Sequence, residues 1–226
     1  VLDGAAYVFH LAAQAGVRKS WGRDFTTYTV NNVDATQHFL EACVGRPLER
    51  VVYASSSSVY GDEAPIPMRE DTLPRPVSPY GVTKLAAEQL CHLYFVNHRV
   101  PTVSLRYFTV YGPRQRPDMG FHKFLKAGMT GGPITVFGDG EQTRDFVFVD
   151  DVVDAFVRAA ERGSGLLCNI GTGVESSVLD LYATMATNAG VAEPAAHAPA
   201  RMGELARSCL DASRAELHLG WRPFTI

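Results

Sequence analysis

An α/β fold built on a parallel sheet is predicted by three features of the sequence. Short apolar runs rich in β-branched and aromatic residues recur along it, helical patterns separate the first three of them, and the later half turns to Pro, Gly and Arg before becoming mainly helical. Strands alternating with helices imply right-handed crossover units, because parallel neighbours can be joined only by a long return connection.

The runs read as strands are residues 6–11, 50–54, 102–107, 134–137, 146–149 and 165–170, each short and bounded by turn residues. Helical patterns cover 29–43 and 79–97. From Tyr111 to Asp118 the chain is rich in Pro and Arg, Gly131-Gly132-Pro133 and Gly138-Asp139-Gly140 read as turns, and helix resumes from Ser176. The change of texture predicts a smaller second lobe.

With 226 residues, 46% hydrophobic and 20% charged, the chain has the material for a sizeable core. A net charge of −3 leaves no basic surplus for a nucleic-acid backbone, and no window approaches eighteen uninterrupted apolar residues. Neither nucleic acid nor a membrane is therefore expected as a partner. Cys43, Cys91, Cys168 and Cys209 are widely spaced, without the pairing of metal ligands, and read as reduced structural thiols, with no metal expected. The opening Val1-Leu2-Asp3-Gly4 shows no signal-peptide pattern, so a cytoplasmic location is expected.

The chemistry is concentrated in Ser78-Pro79-Tyr80-Gly81-Val82-Thr83-Lys84. Ser78 suits a helix cap and Pro79 the first helical position, which puts Tyr80 and Lys84 one turn apart on one face. Tyrosine ionises near pH 10, so it serves as a base near neutrality only if a neighbour stabilises the phenolate, and Lys84 is placed to do so. The plain alternative is a solvated i, i+4 pair worth a few tenths of a kcal/mol. What weighs against it is the buried-strand pattern Val51-Val52-Tyr53-Ala54 running into Ser55-Ser56-Ser57-Ser58, which delivers hydroxyls to a strand's carboxyl end.

This set resembles the catalytic residues of short-chain dehydrogenases, and the ordered marks resemble the extended branch that contains nucleotide-sugar 4-epimerases, closest to UDP-glucuronate 4-epimerases. Those marks are His10-Leu11-Ala12-Ala13, Asn32-Val33, Ser56-x-x-Val59-Tyr60-Gly61, Tyr80-x-x-x-Lys84, Leu105-Arg106-Tyr107-Phe108, Tyr111-Gly112-Pro113-Arg114, Arg144-Asp145-Phe146 and Asn169-Ile170-Gly171. The resemblance implies a Rossmann-like, doubly wound parallel sheet with a smaller, mainly helical substrate lobe. Residues 1–110 and 144–172 would form the NAD-binding part, and 111–143 and 173–226 the nucleotide-sugar lobe. The family's first βαβ unit, with its Gly-x-x-Gly-x-x-Gly turn, has no counterpart here; the sequence opens at what resembles the fourth strand.

By the same resemblance, Tyr80 removes the sugar 4-hydroxyl proton while hydride leaves carbon 4 for NAD, and Ser56 shares that proton's hydrogen bond. Lys84 bonds the nicotinamide ribose and lowers the pKa of Tyr80. The 4-keto sugar turns over and is reduced on its opposite face. Leu11, Ala12 and Ala13 imply a close approach of backbone to cofactor, Asn32 a helix-borne hydrogen-bonder, Ala54 and Ser55 further cofactor contacts, and Tyr107 and Val110 neighbours of the nicotinamide. An alanine pair after a strand also suits simple packing, and an asparagine in a helix also suits a local backbone group.

For the substrate, Arg144 and Arg201 resemble family positions that hold the diphosphate, and Phe137 one facing uracil. Glu204 stands where relatives commonly have aspartate. Thr109 replaces the asparagine usual in neutral-sugar epimerases, and with Arg116, Ser57 and Ser58 it resembles the group around the sugar carboxylate of UDP-glucuronate 4-epimerases. Such a clamp has a chemical purpose, since a 4-keto uronate is a β-keto acid that loses carbon dioxide unless its carboxylate is held near the carbonyl plane. Ser56-Ser57-Ser58 contains no acid, unlike the decarboxylating and dehydrating relatives. Alternatives left open are a UDP-glucose or UDP-N-acetylglucosamine 4-epimerase and a non-catalytic dinucleotide-binding protein. Relatives commonly form homodimers through the helix corresponding to 79–97.

Overall fold

The computed structural model of the chain describes residues 2–132, 134–190, 195–200 and 205–225. A sheet of four parallel strands lies at its centre, formed by β1 (Tyr7–His10), β2 (Arg50–Ala54), β3 (Thr102–Tyr107) and β7 (Leu167–Ile170) in that spatial order. Its inner strands β2 and β3 are buried along almost their whole length, as a sheet covered on both faces requires. Val51, Val52, Val103, Leu105 and Ile170 are fully buried, and each such side chain contributes about 1.5–3 kcal/mol of transfer free energy.

Alternation along the strands sorts the two faces. Val51 and Tyr53 join Leu40, Cys43, Ala87 and Cys91 under α2 (Ala35–Cys43) and α3 (Pro79–His98). Val52, Val103 and Leu105 point the other way, onto α5 (Val149–Glu161) and α7 (Ser213–Leu219) through Val152, Ala155, Ala159 and Leu219. The sheet is therefore doubly wound and Rossmann-like. All four cysteines are buried and unbridged.

Two predicted strands, 50–54 and 102–107, match the observed bounds. The helix expected over 29–43 begins earlier, as α1 (Phe25–Tyr28), and passes through a π-helical segment Thr29–Asp34 before α2. That wide turn does not follow the 3.6-residue period on which the prediction rested, and it buries Asn32. Helix α3 starts as expected: Ser78 is extended, its hydroxyl accepts from the Gly81 N–H at 3.1 Å, and Pro79 opens the first turn.

The second half of the chain adds β4 (Thr109–Tyr111), α4 (Gly120–Thr130), β5 (Thr135–Phe137), β6 (Thr143–Phe148), β8 (Glu175–Ser177), α6 (Val178–Ala189) and β9 (Ala196–Ala198). The strand expected at 146–149 starts at Thr143 instead, and Val149 already belongs to α5. It pairs with β4 and β8 in a separate three-stranded sheet, while β5 pairs with β9. The mainly helical tail expected from Ser176 is thus mixed, although α6 opens with a full capping box between Ser177 and Asp180. Asp145 ties this layer to the end of β7, accepting from the backbone of Thr172 (2.7 Å) and Gly173 (2.8 Å) and from the Thr172 hydroxyl (2.8 Å).

Candidate active site

Parallel strands end together, so the carboxyl ends of β1, β2 and β3 gather the segments carrying Leu11 to Ala13, Ser55 to Ser58 and Tyr107 to Val110 along one edge. Helix α3 returns to this edge with its first turns. Its start meets the short 3₁₀ turn Ser57–Val59, and a Cβ at Gly81 would stand 2.3 Å from the Ser58 carbonyl oxygen. Only glycine permits that approach. The Ser56 hydroxyl caps the turn, accepting from the Ser58 N–H at 3.2 Å.

Tyr80, Ser56 and Lys84 meet here. Burial pushes the Tyr80 phenol above its ordinary value, opposed by a hydrogen bond with Ser56 and by the charge of Arg116, both of which favour the anion. Tyr28 packs edge-on against Tyr80, ring centres 6.2 Å apart, and donates its own hydroxyl to the Gly16 carbonyl at 2.6 Å.

Lys84 differs from expectation in its partner. Its ammonium is 3% exposed, donates to the Ala54 carbonyl at 2.5 Å and stands 4.5 Å from the centre of the Tyr53 ring; the groups that favour the Tyr80 anion are Ser56 and Arg116. Burial lowers the Lys84 pKa to about 8 despite the opposing influence of Cys91 and Glu88. Among the described residues a single carbonyl, that of Ala54, accepts from one of its three N–H donors. A buried ammonium with donors to spare fits the hydroxyls of a ribose.

Several other expected contacts are already taken up within the protein. The Asn32 amide is buried, accepting from the Gln14 N–H (2.7 Å) and donating to the Gln14 carbonyl (3.1 Å) and the Thr83 hydroxyl (3.0 Å). It clamps the loop after β1 to α3. The Ser55 hydroxyl donates to Glu88 at 2.6 Å, below the edge. Tyr107 packs against Phe156 on the α5 face at 5.3 Å, its hydroxyl buried without a partner among the described residues, and Val110 rests on the same core. By contrast Leu11, Ala12 and Ala13 are exposed just beyond β1.

Among the residues expected at the substrate, Ser57 and Ser58 are half-buried in the 3₁₀ turn and Thr109 opens β4. Arg116 is half-exposed and paired with Asp118 at 3.1 Å. Phe137 ends β5, and Arg144 in β6 donates to the carbonyls of Thr143 (2.6 Å) and Leu205 (2.8 Å). Arg201 and Glu204 lie outside the described residues. Sequence reasoning missed Tyr28, Glu88 and Arg106. A detectable signal was present for the last two, since an arginine inside an apolar strand demands a buried carboxylate.

Residues 1–171 match the family described as "NAD dependent epimerase/dehydratase family". This chain belongs to that family. The epimerase/dehydratases are enzymes whose cofactor is NAD. The chain is similar to an uncharacterized UDP-glucose epimerase, YtcB, of Bacillus subtilis, 41% identical over 100% of this chain and 72% of the relative. A UDP-glucose 4-epimerase of Mycolicibacterium smegmatis is likewise 41% identical, over 96% of this chain and 70% of its own length. Among solved structures, the UDP-glucuronic acid 4-epimerase of Bacillus cereus, in complex with UDP-glucuronic acid and NAD, is 44% identical with a TM-score of 0.93, covering 100% of this chain and 72% of that one. No helix among the described residues of this epimerase/dehydratase is long and apolar enough to cross a membrane.

Proposed function

We propose that the protein is an NAD-dependent UDP-sugar 4-epimerase acting on UDP-glucuronate to form UDP-galacturonate. The observation that carries this reading is the convergence of Ser56, Tyr80 and a buried, incompletely bonded Lys84 at the carboxyl edge of the parallel sheet. Tyr80 takes the proton of the sugar 4-hydroxyl, Ser56 holds that hydroxyl in line, and after the 4-keto sugar has rotated Tyr80 returns the proton. NAD, when bound, supplies the reversible oxidation at carbon 4. Lys84 would hold its ribose, beside Leu11, Ala12, Ala13 and Ala54. The NAD-binding part is assigned to residues 1–110 and 144–172 and the nucleotide-sugar part to 111–143 and 173–226; Phe137, Arg201 and Glu204 of the latter, and Arg144 at the border of the former, are assigned to the substrate.

The uronate is favoured by Arg116, whose charge already acts on the Tyr80 phenol and whose pairing with Asp118 is exposed enough to yield to a substrate carboxylate. Ser57, Ser58 and Thr109 complete that end. The likeness to the Bacillus cereus enzyme supports it further. The UDP-glucose epimerases among the relatives support a second reading, a neutral UDP-sugar. Val82, Leu93 and Val96 form an exposed apolar stripe on α3 that suits a second copy of the chain in a homodimer.

Incubation of the intact protein with NAD and, separately, UDP-glucuronate, UDP-glucose and UDP-N-acetylglucosamine, with products read by NMR, tests the proposal. Formation of UDP-galacturonate is expected. Turnover of a neutral sugar alone would select the second reading, and absence of both turnover and bound NAD would leave a non-catalytic dinucleotide-binding protein.

A further inference from the structure

Three consecutive residues at the end of β2 meet three residues spaced one turn apart on α3. Ser56 reaches Tyr80, the Ala54 carbonyl receives Lys84, and between them the Ser55 hydroxyl donates to Glu88 at 2.6 Å. The alternation of a strand and the i, i+4 spacing of a helix make this possible, since Val51, Tyr53 and Ser55 all face α3 while Tyr80, Lys84 and Glu88 share one helix face.

Glu88 is 3% exposed and held from the far side by Arg106, which is 1% exposed and donates to both carboxylate oxygens, at 2.6 and 3.0 Å. The Arg106 guanidinium stacks 4.6 Å from the centre of the Tyr60 ring, and the Tyr60 hydroxyl donates to Asn169 at 2.6 Å. The carboxylate is thus fixed by Arg106 of β3 and by Ser55 after β2, with Tyr60 and Asn169 placed behind the arginine.

Resting on the function proposed above, we infer that Glu88 is a positioning residue, holding the strand end 54–56 through Ser55 so that Ser56 and the Ala54 carbonyl stand in register with Tyr80 and Lys84. A buried ion pair is a poor way to stabilise a fold, because desolvation cancels most of its attraction and apolar residues of similar volume hold a helix to a sheet as well. Apolar residues, however, offer nothing to orient a hydroxyl. The need is local: Ser55 makes the last backbone bond of β2 to β3, its N–H to the Leu105 carbonyl at 2.8 Å, after which the chain leaves the sheet.

Ser55→Ala removes this one contact and leaves the Glu88–Arg106 pair intact. Peptide-level hydrogen exchange over residues 54–58 should rise severalfold in Ser55→Ala and in Glu88→Gln, with the melting temperature of Ser55→Ala little changed. Its kcat should fall about tenfold, since small misplacements of reacting groups are costly, with KM within about twofold of wild type and kcat largely restored in Ser55→Thr. Unchanged exchange in Ser55→Ala overturns the inference, as does faster exchange with unchanged kcat, or a loss confined to KM. Failure of the wild-type protein to turn over any UDP-sugar would count against the proposed function, while the exchange measurement would still decide the placement.

Discussion

Lys84 directs its ammonium at the Ala54 carbonyl, 2.5 Å away, and not at the Tyr80 phenol one turn before it. The lysine is therefore tied to the strand whose end carries the serines, and the phenol relies on Ser56 and Arg116 for whatever anion stabilisation the protein alone provides. Spacing along one helix told where the lysine stands, and the neighbouring strand decides what it bonds.

On the proposed function, Tyr80→Phe removes the proton-transferring oxygen and little else. Turnover should drop by at least about a thousandfold, while UDP-sugar affinity by calorimetry stays within a few-fold. A variant that retains wild-type turnover would remove Tyr80 from the reaction.

The Lys84 pKa, lowered by burial from 10.5 to about 8, makes stability depend on pH. Between these values the unfolded lysine keeps its proton while the folded one has lost it, so stability rises with pH across that window. Relative to Lys84→Met, wild type should gain roughly 3 kcal/mol between about pH 8 and 10.5, because each tenfold difference in proton affinity between the folded and unfolded chain is worth about 1.4 kcal/mol. Paired denaturant titrations check this, and a difference that stays flat means an ordinary lysine.

If Arg116 holds the uronate as proposed, Arg116→Ala should increase carbon dioxide release relative to epimerisation with UDP-glucuronate, because the carboxylate of the 4-keto sugar would lose the charge that restrains it. Carbon dioxide trapping beside NMR of the nucleotide products measures the ratio. An unaltered ratio would take Arg116 out of the carboxylate site.

Asn32→Ala leaves the Gln14 backbone and the Thr83 hydroxyl without their partner in a buried place. A loss of about 2–3 kcal/mol is expected, with an unchanged denaturant slope. Fluorescence-monitored guanidinium unfolding of the two proteins reads it directly, and a loss below about 0.5 kcal/mol would mean the clamp is replaced by water.

Much of the site was legible because its parts are local. Ser78, Pro79, Tyr80 and Lys84 lie within one stretch whose cap and spacing follow from helix geometry, and the strand 50–54 announces itself by apolar, β-branched residues. The family resemblance sets Asn32 and Ser55 toward a cofactor, because a sequence shows which groups can bond but not which partners reach them first. Gln14 and Thr83 reach Asn32, and Glu88 reaches Ser55. Strand β6 was legible as a strand from its apolar residues, while its start at Thr143 and its pairing with β4 and β8 depend on contacts far along the chain.

The sequence by itself determined the α/β class, the central strands and the Tyr80–Lys84 face, since each follows from periodicity, capping and side-chain chemistry within a short window. Only the tertiary structure decided that Lys84 bonds Ala54, that Glu88 and Arg106 brace the strand end from beneath, and that Asn32 clamps a loop. These are choices among competing hydrogen-bond partners, and burial makes them: once water is excluded each polar group must take the nearest partner that the packing of distant segments brings to it.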